Sequence, residues 1–232
     1  MSLMNLKKSL CGEEMVKKII ILGTGGNCID ILDTINEINE KEFKYECVGF
    51  LDDNIDNFEK TFWGVKVLGP LSKAKEFIDS CFFINGIGSE KNFFLKEKII
   101  ANTKIPIEHF ETIIHPTASV SKMCKVGKGT VIFQNVTITS NVNIGNHVVI
   151  LPNSVINHDC IIQDYSCIAS SVNILGKVLI GKSCYLGANS SIKSNVTIKD
   201  YSLIGMGSNV LSDVKENSVM IGNPARYLRS TR

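Results

Sequence analysis

From Ile114 onward every sixth residue is aliphatic, without a break or an insertion: Ile114, Val120, Val126, Ile132, Ile138, Ile144, Ile150, Ile156, Ile162, Ile168, Ile174, Ile180, Leu186, Ile192, Ile198, Ile204 and Val210. A second column stands four residues after each of these, and all its members are small or β-branched: Ala118, Cys124, Thr130, Val136, Val142, Val148, Ser154, Cys160, Ser166, Val172, Val178, Cys184, Ser190, Val196, Ser202 and Ser208. An α-helix at 3.6 residues per turn cannot keep a strict period of six on one face, and a flat strand alternates every two. A chain that turns a corner after each short strand satisfies both columns. The aliphatic points inward, the compact residue fits near the bend, and the positions between them are expected to face out. A repeat of this kind buries each coil only against its neighbours, so its ends need caps. The Gly222-Asn223-Pro224-Ala225-Arg226 segment stands where a cap belongs.

The first half follows different rules. Residues 17–23 (KKIIILG) form a continuous apolar run ending in glycine, the form of a buried parallel strand. A Gly23-Thr24-Gly25-Gly26 turn follows, then helical spacing over 28–41 with Ile31, Leu32, Ile35 and Ile38 on one face. Residues 45–51 read as a second strand ending in Asp52-Asp53, 65–68 as extended, 71–78 as helix behind Pro70, 81–87 as strand and 90–100 as helix. Alternating strand and helix predicts a parallel sheet with helices on both faces. The expected division is an α/β, Rossmann-like domain over 16–110 and an all-β domain over 111–232, with the change of pattern between residues 106 and 116.

Composition excludes several classes. Net charge is +2, too small to argue for nucleic acid, although the halves differ: residues 1–110 balance at −3 and residues 111–232 at +5. No apolar run approaches the roughly 20 residues needed to span a bilayer. The opening residues read as no secretory signal, with Met4 and Met15 both possible true starts behind a Met1-Ser2-Leu3 remnant. The eight cysteines have no CxxC and no regular spacing, so they are expected as reduced thiols in a cytoplasmic chain rather than as a disulfide framework or zinc ribbon.

Two places carry candidate chemistry. Backbone N–H groups of a glycine-rich turn at a helix start suit a phosphate or another anion, which nominates Gly23, Thr24, Gly25 and Gly26. Asp52 and Asp53 at the next strand end can accept hydrogen bonds from a ribose or base. The motif is GTGGNC rather than GxGxxG, because Cys28 holds the sixth place, and a dinucleotide oxidoreductase is accordingly a weak reading. Among the four histidines, His158 lies two residues after Ile156 at an outward position and is followed by Asp159, a carboxylate able to orient an imidazole for general-base work. His115 before Pro116 reads as structural, and His109 and His147 as surface residues.

The stretch Ile156-Asn157-His158-Asp159-Cys160, the Gly-rich turn with its aspartate pair, the period of six and the closing Gly222, Pro224, Ala225 and Arg226 together resemble the hexapeptide-repeat acyltransferases. The resemblance is to their nucleotide-sugar N-acetyltransferases of bacterial glycan synthesis and to the sialic acid O-acetyltransferases, and it covers most of the chain. It implies a left-handed parallel β-helix of three hexads per coil. It also implies His158 as general base with Asp159 as partner, acetyl-CoA as co-substrate, and direct transfer to the amine of a nucleotide-linked 4-amino sugar. By the same resemblance Gly176 donates its N–H to the acetyl carbonyl, and Ala188, Gly205 and Met206 line the pantetheine channel. Gly176 and Gly187 lie at coil bends where N–H groups can be free. The three arginines, Arg226, Arg229 and Arg232, stand at the far end, where they either meet the CoA phosphates or form a solvated basic tail. Homotrimers with each site between two subunits are implied as well. Two positions depart from the relatives: Cys167 stands where they carry a second histidine, and Asn27-Cys28 where they carry His-Gly. O-acetylation of a sialic acid or related sugar is the alternative. A β-helix carbonic anhydrase, which needs three histidines around Zn²⁺, and a non-catalytic scaffold are weaker readings, and no metal is expected.

Overall fold

The computed structural model describes residues 16–231. The alternative starts at Met4 and Met15, and Arg232 among the expected phosphate contacts, lie outside the described residues.

Strand β1 (Lys17–Leu22) runs into helix α1 (Gly26–Lys41), β2 (Tyr45–Leu51), β3 (Thr61–Phe62), β4 (Val65–Gly69), β5 (Phe82–Asn85) and helix α2 (Lys96–Thr103). The sheet order is β3-β4-β2-β1-β5, parallel except where β3 meets β4. Its two faces are covered differently. Ile20, Leu22, Leu51 and Phe83 pack under Leu71, Ala74, Ile100 and Phe110, while Ile19, Ile21, Phe50 and Ile84 meet Cys28, Ile31, Leu32 and Ile35 of α1. Three expectations move at their edges. The predicted helix over 71–78 is a 3₁₀ segment, Leu71–Glu76; the helix expected from residue 90 becomes regular only at Lys96; and the strand expected to reach residue 87 ends at Asn85. Short segments between a sheet and its neighbours are shaped by packing more than by propensity.

From Ile113 onward, two-residue strands stack in register eighteen residues apart, Thr137 on Val155 and Ile138 on Ile156 for example. They build three parallel sheets, the faces of a left-handed parallel β-helix. The aliphatic column fills the prism from Ile132 to Val210, all buried. Ile114 is 38% exposed, because no coil lies below it. The compact column is compact for a second reason: its hydroxyls and thiols reach the backbone of the next coil. Thr130 Oγ1 donates to Gly145 O, Ser154 Oγ to Ala169 O, Ser166 Oγ to Gly181 O and Cys160 Sγ to Leu175 O. At the corners, one residue in six takes a left-handed conformation, among them Asn135, Asn141, Asn153, Asp159, Asn189 and Asn195, the types that tolerate it best.

The residues just before the aliphatics do not all face solvent. On one face they are Ile113, Val131, Val149 and Cys167, buried, then Tyr185 and Leu203, half-buried. On the second face they are Ser119, Thr137, Val155, Asn173, Ser191 and Asn209, and on the third Lys125, Asn143, Ile161, Leu179 and Thr197. The apolar face is where the α/β domain docks, with α1 and the sheet sharing one core with Ile113, Val131, Phe133, Val149 and Cys167. Polar clamps flank that core: Glu37 to His115 Nε2 at 2.9 Å, Lys17 to Glu111 at 2.8 Å and Lys182 to Glu97 at 2.6 Å. Strands Ser218–Ile221 and Arg226–Ser230 close the C-terminal end as an antiparallel pair.

Candidate active site

His158 stands on the corner between the second and third faces, its side chain 55% exposed. Its Nδ1 is 2.9 Å from Asp159 Oδ2. The left-handed backbone at Asp159 (φ 61°) turns that carboxylate back toward the ring. Asn141, one coil earlier, donates its amide to Asp159 Oδ1 at 2.7 Å. The Asn141 hydrogen bond first and the His158 contact second hold the Asp159 carboxyl below the usual carboxylate range. With Nδ1–H directed at a carboxylate, Nε2 keeps its lone pair and can accept a proton.

One coil later, on the same corner, lies Gly176. A Cβ there would stand 2.6 Å from His158 Cε1 and 2.7 Å from Nε2, so the ring rests on the glycine. The Gly176 carbonyl accepts from Asn195 N at 3.1 Å, while its own N–H meets no acceptor among the described residues. A free N–H beside the basic nitrogen can stabilise negative charge developing on an acyl oxygen.

The other residues expected around a thioester occupy another edge. Gly187, Ala188, Gly205 and Met206 run along the corner between the docking face and the second face. Gly187 was expected to have a free N–H, but it donates to Ile204 O at 2.7 Å, and Gly205 donates to Met220 O at 2.8 Å. The residue one past each aliphatic is still in the ladder. Groups left over come one residue further on, at Ala188 and Met206, whose N–H groups find no acceptor among the described residues. Gly187 serves close packing instead, since a Cβ there would press on Met206 N at 2.6 Å. Among the described residues the Arg226 and Arg229 side chains bond only backbone carbonyls of their own strand region, at 3.1 Å and 3.0 Å.

At the carboxyl ends of β1, β2 and β5 a cleft of about 530 Å³ is lined by Gly23, Thr24, Gly25, Gly26, Asp52, Asp53 and residues 86–89, a size usual for small-molecule sites. α1 begins at Gly26 with no side-chain cap and no acidic residue in its first turn, and the space beside Gly25 and Gly26 is open. Thr24 donates to Asp52, and Asn57 donates to Thr24 at 2.8 Å. Asp53 turns one oxygen to Leu71 N at 2.9 Å, capping the 3₁₀ segment. Cys28 fills the place of a third glycine because the glycine is supplied from across: a Cβ on Gly86 would stand 2.5 Å from Cys28 Sγ. Burial pushes the Cys28 thiol up to about 12, so it packs and does not react.

His147 is a correction. Expected on the surface, it is 2% exposed, stacked on Tyr165 at 5.2 Å and edge-on to Phe110 at 4.4 Å, with Nδ1 unpaired. No three His, Cys, Asp or Glu side chains among the described residues converge as metal ligands. No helix among them is long and apolar enough to cross a membrane.

Comparison with known proteins gives a consistent picture. The family model described as the PglD N-terminal domain matches residues 18–100, and that of the GMPPB C-terminal domain matches residues 109–230. A UDP-N-acetylbacillosamine N-acetyltransferase of Bacillus subtilis (strain 168) is 29% identical over 122 residues, 50% of this chain and 51% of that protein, so the match spans about half the length of the curated relative. The acetyltransferase domain of PglB from Neisseria gonorrhoeae FA1090, solved in complex with acetyl coenzyme A, superposes with a TM-score of 0.82 at 19% identity, over 92% of this chain and all of that one. PerB from Caulobacter crescentus, solved with CoA and GDP-perosamine, gives 0.78 at 22% identity, over 94% of this chain and all of that one. At these identities the structural likeness carries the fold. More than half of the sequence lies inside the β-helix match, and the chain belongs to the family of the GMPPB C-terminal domain, here joined to a PglD-type N-terminal domain.

Proposed function

We propose that this chain is an acetyl-CoA-dependent N-acetyltransferase acting on a nucleotide-linked 4-amino sugar, with His158 as general base. The observation that carries the reading is the His158–Gly176 arrangement: an imidazole oriented by a carboxylate, pressed on a glycine whose N–H is unclaimed. The names and bound molecules of the relatives, an amino-sugar N-acetyltransferase and structures holding CoA or acetyl coenzyme A, support the substrate class.

In this mechanism the sugar amine attacks the thioester carbonyl. Nε2 of His158 takes the amine's proton, Asp159 steadies the imidazolium that results, and the Gly176 N–H meets the charge gathering on the acyl oxygen; the tetrahedral adduct then collapses with breakage of the C–S bond, and the departing CoA thiolate takes the proton back from His158 to leave as the thiol. Holding both substrates in one place supplies much of the acceleration. No second imidazole is needed, which agrees with Cys167 being buried. Arg226 and Arg229 are proposed to meet the CoA phosphates, and Ala188 and Met206 to bond the pantetheine amides through their free N–H groups. Gly23, Thr24, Gly25, Gly26, Asp52 and Asp53 are proposed to hold the nucleotide.

The topology bears on assembly. His158 sits on the edge opposite the face that carries the α/β domain, so base and cleft of one chain lie on opposite sides of the prism. We infer a homotrimer in which the cleft of one subunit serves the His158 of another. Sedimentation tests the assembly: a trimer is expected, and an active monomer contradicts it. Activity is tested by offering UDP-, GDP- and dTDP-linked amino sugars with acetyl-CoA and reading thiol release, with the 4-hydroxy sugars and sialic acid as controls. Transfer to an amine is expected. Transfer only to a hydroxyl would favour the O-acetyltransferase alternative.

A further inference from the structure

Lys96 opens α2 with none of its surface exposed, and among the described residues its Nζ has one partner, Cys167 Sγ at 3.8 Å. A thiol at that distance is a poor replacement for the water around an ammonium group. Among the described residues the group that favours its charged form is Cys167, and no carboxylate does so. On its own helix, Glu97 is taken by Lys182 at 2.6 Å, with Tyr201 at 3.4 Å. From the β-helix come Cys167 and the His147 ring held neutral by burial, and among the described residues no carboxylate bonds to Lys96.

Gly88 touches both the stem of this lysine and the cleft. A Cβ on Gly88 would stand 3.2 Å from Cys167 Sγ and 3.5 Å and 3.8 Å from Lys96 Cδ and Cε. The same residue lines the cleft, and its carbonyl accepts the side-chain amide of Asn27, in the first turn of α1, at 3.3 Å. One glycine therefore lies between the lysine stem and the helix terminus that opens on the cleft.

We propose that Lys96 is an electrostatic binding residue for the anionic part of the ligand in the Gly-rich cleft: it holds a positive charge behind the Gly88 wall, and a nucleoside diphosphate in front supplies the countercharge that no carboxylate supplies. This rests on the reading of the cleft as a nucleotide site. The attraction acts through the wall without contact, and it is weakly screened because the charge is buried. Burial lowers the affinity of Lys96 for its proton, and a diphosphate acts in the opposite sense.

Calorimetry on the whole protein, on Lys96→Met and on Lys96→Arg tests the proposal, with UDP, GDP and dTDP and the corresponding monophosphates as probes. For the diphosphate that binds best, Lys96→Met is expected to weaken binding about tenfold. The monophosphate loses less, and Lys96→Arg restores most of the affinity. The melting temperature of the Met variant stays level or rises, since an unpaired buried charge is removed. A lysine with a structural task alone would instead lower the melting temperature without favouring diphosphate over monophosphate. Equal diphosphate affinity in Lys96→Met and the unaltered protein overturns the proposal, as does an equal loss for mono- and diphosphate. If the unaltered protein binds none of these nucleotides, the cleft reading falls first and the role of Lys96 with it.

Discussion

The imidazole of His158 lies on Gly176, one coil further along the prism, so closely that a methyl group on the glycine would stand 2.6 Å from Cε1. The relationship depends on the register of the coils, because eighteen residues separate the two and the ladder stacks them corner on corner. It places a basic nitrogen and an unclaimed N–H side by side on a surface otherwise made of turns.

Gly176→Ala follows directly. The added methyl pushes the ring off its seat while leaving the buried aliphatic column intact. The kcat/KM for acetyl transfer is expected to fall by about 10²-fold, since misplacement on the ångström scale has that cost. Circular dichroism and the melting temperature should stay close to those of the parent. Unchanged transfer would mean that the contact is not used.

His147 sets an acid limit on stability. Burial first, and the nearby Lys96 charge second, push its pKa down to about 3 from an ordinary 6.5. The unfolded chain takes up a proton near pH 6.5 and the folded chain does not. The stability this group contributes is whole above pH 6.5 and is lost as pH falls toward 3, by about 2 kcal/mol at pH 5. His147→Phe removes the titration and keeps an aromatic ring between Phe110 and Tyr165. Urea melts at pH 7 and pH 5 should show the parent losing more stability than the variant; equal losses would remove His147 as the cause.

The docking face gives a paired prediction. Val131→Lys places an unpaired charge in the core shared by the two domains and is expected to destabilise by about 3 kcal/mol or more. Asn143→Lys, at the equivalent register on the third face, should stay within about 0.5 kcal/mol. Thermal unfolding of both variants checks this, and similar melting temperatures would contradict the assignment of faces.

Much of this was legible in the sequence, and the exceptions have physical reasons. The aliphatic ladder required a stacked prism, because nothing else repeats every six residues. The face that docks was also written there, in the column before the aliphatics. Ile113, Val131, Val149, Cys167, Tyr185 and Leu203 recur every eighteen residues, and reading at period six averages them with Ser119 and Lys125. His147 gave no such signal, since its burial is made by Phe110 and Tyr165, brought from separate segments. The Gly187 N–H was misjudged because a shift of one residue along a corner decides whether a group joins the ladder. Cys28 looked like a defect in a glycine motif, and Gly86, far along the chain, supplies the missing room. For the site, residue type and order nominated His158 and Asp159, but the seat on Gly176 and the clamp from Asn141 exist only once coils are stacked.

The most direct measurement is the single-turnover rate of acetyl transfer by His158→Ala, compared with the parent, on the nucleotide-linked 4-amino sugar that the parent accepts. The side chain is 55% exposed and lies outside the buried aliphatic column, so the variant should fold and bind both substrates. The account predicts a rate lower by about 10²- to 10⁴-fold, the range of a lost general base. A His158→Ala protein that transfers acetyl at the parental rate would contradict it.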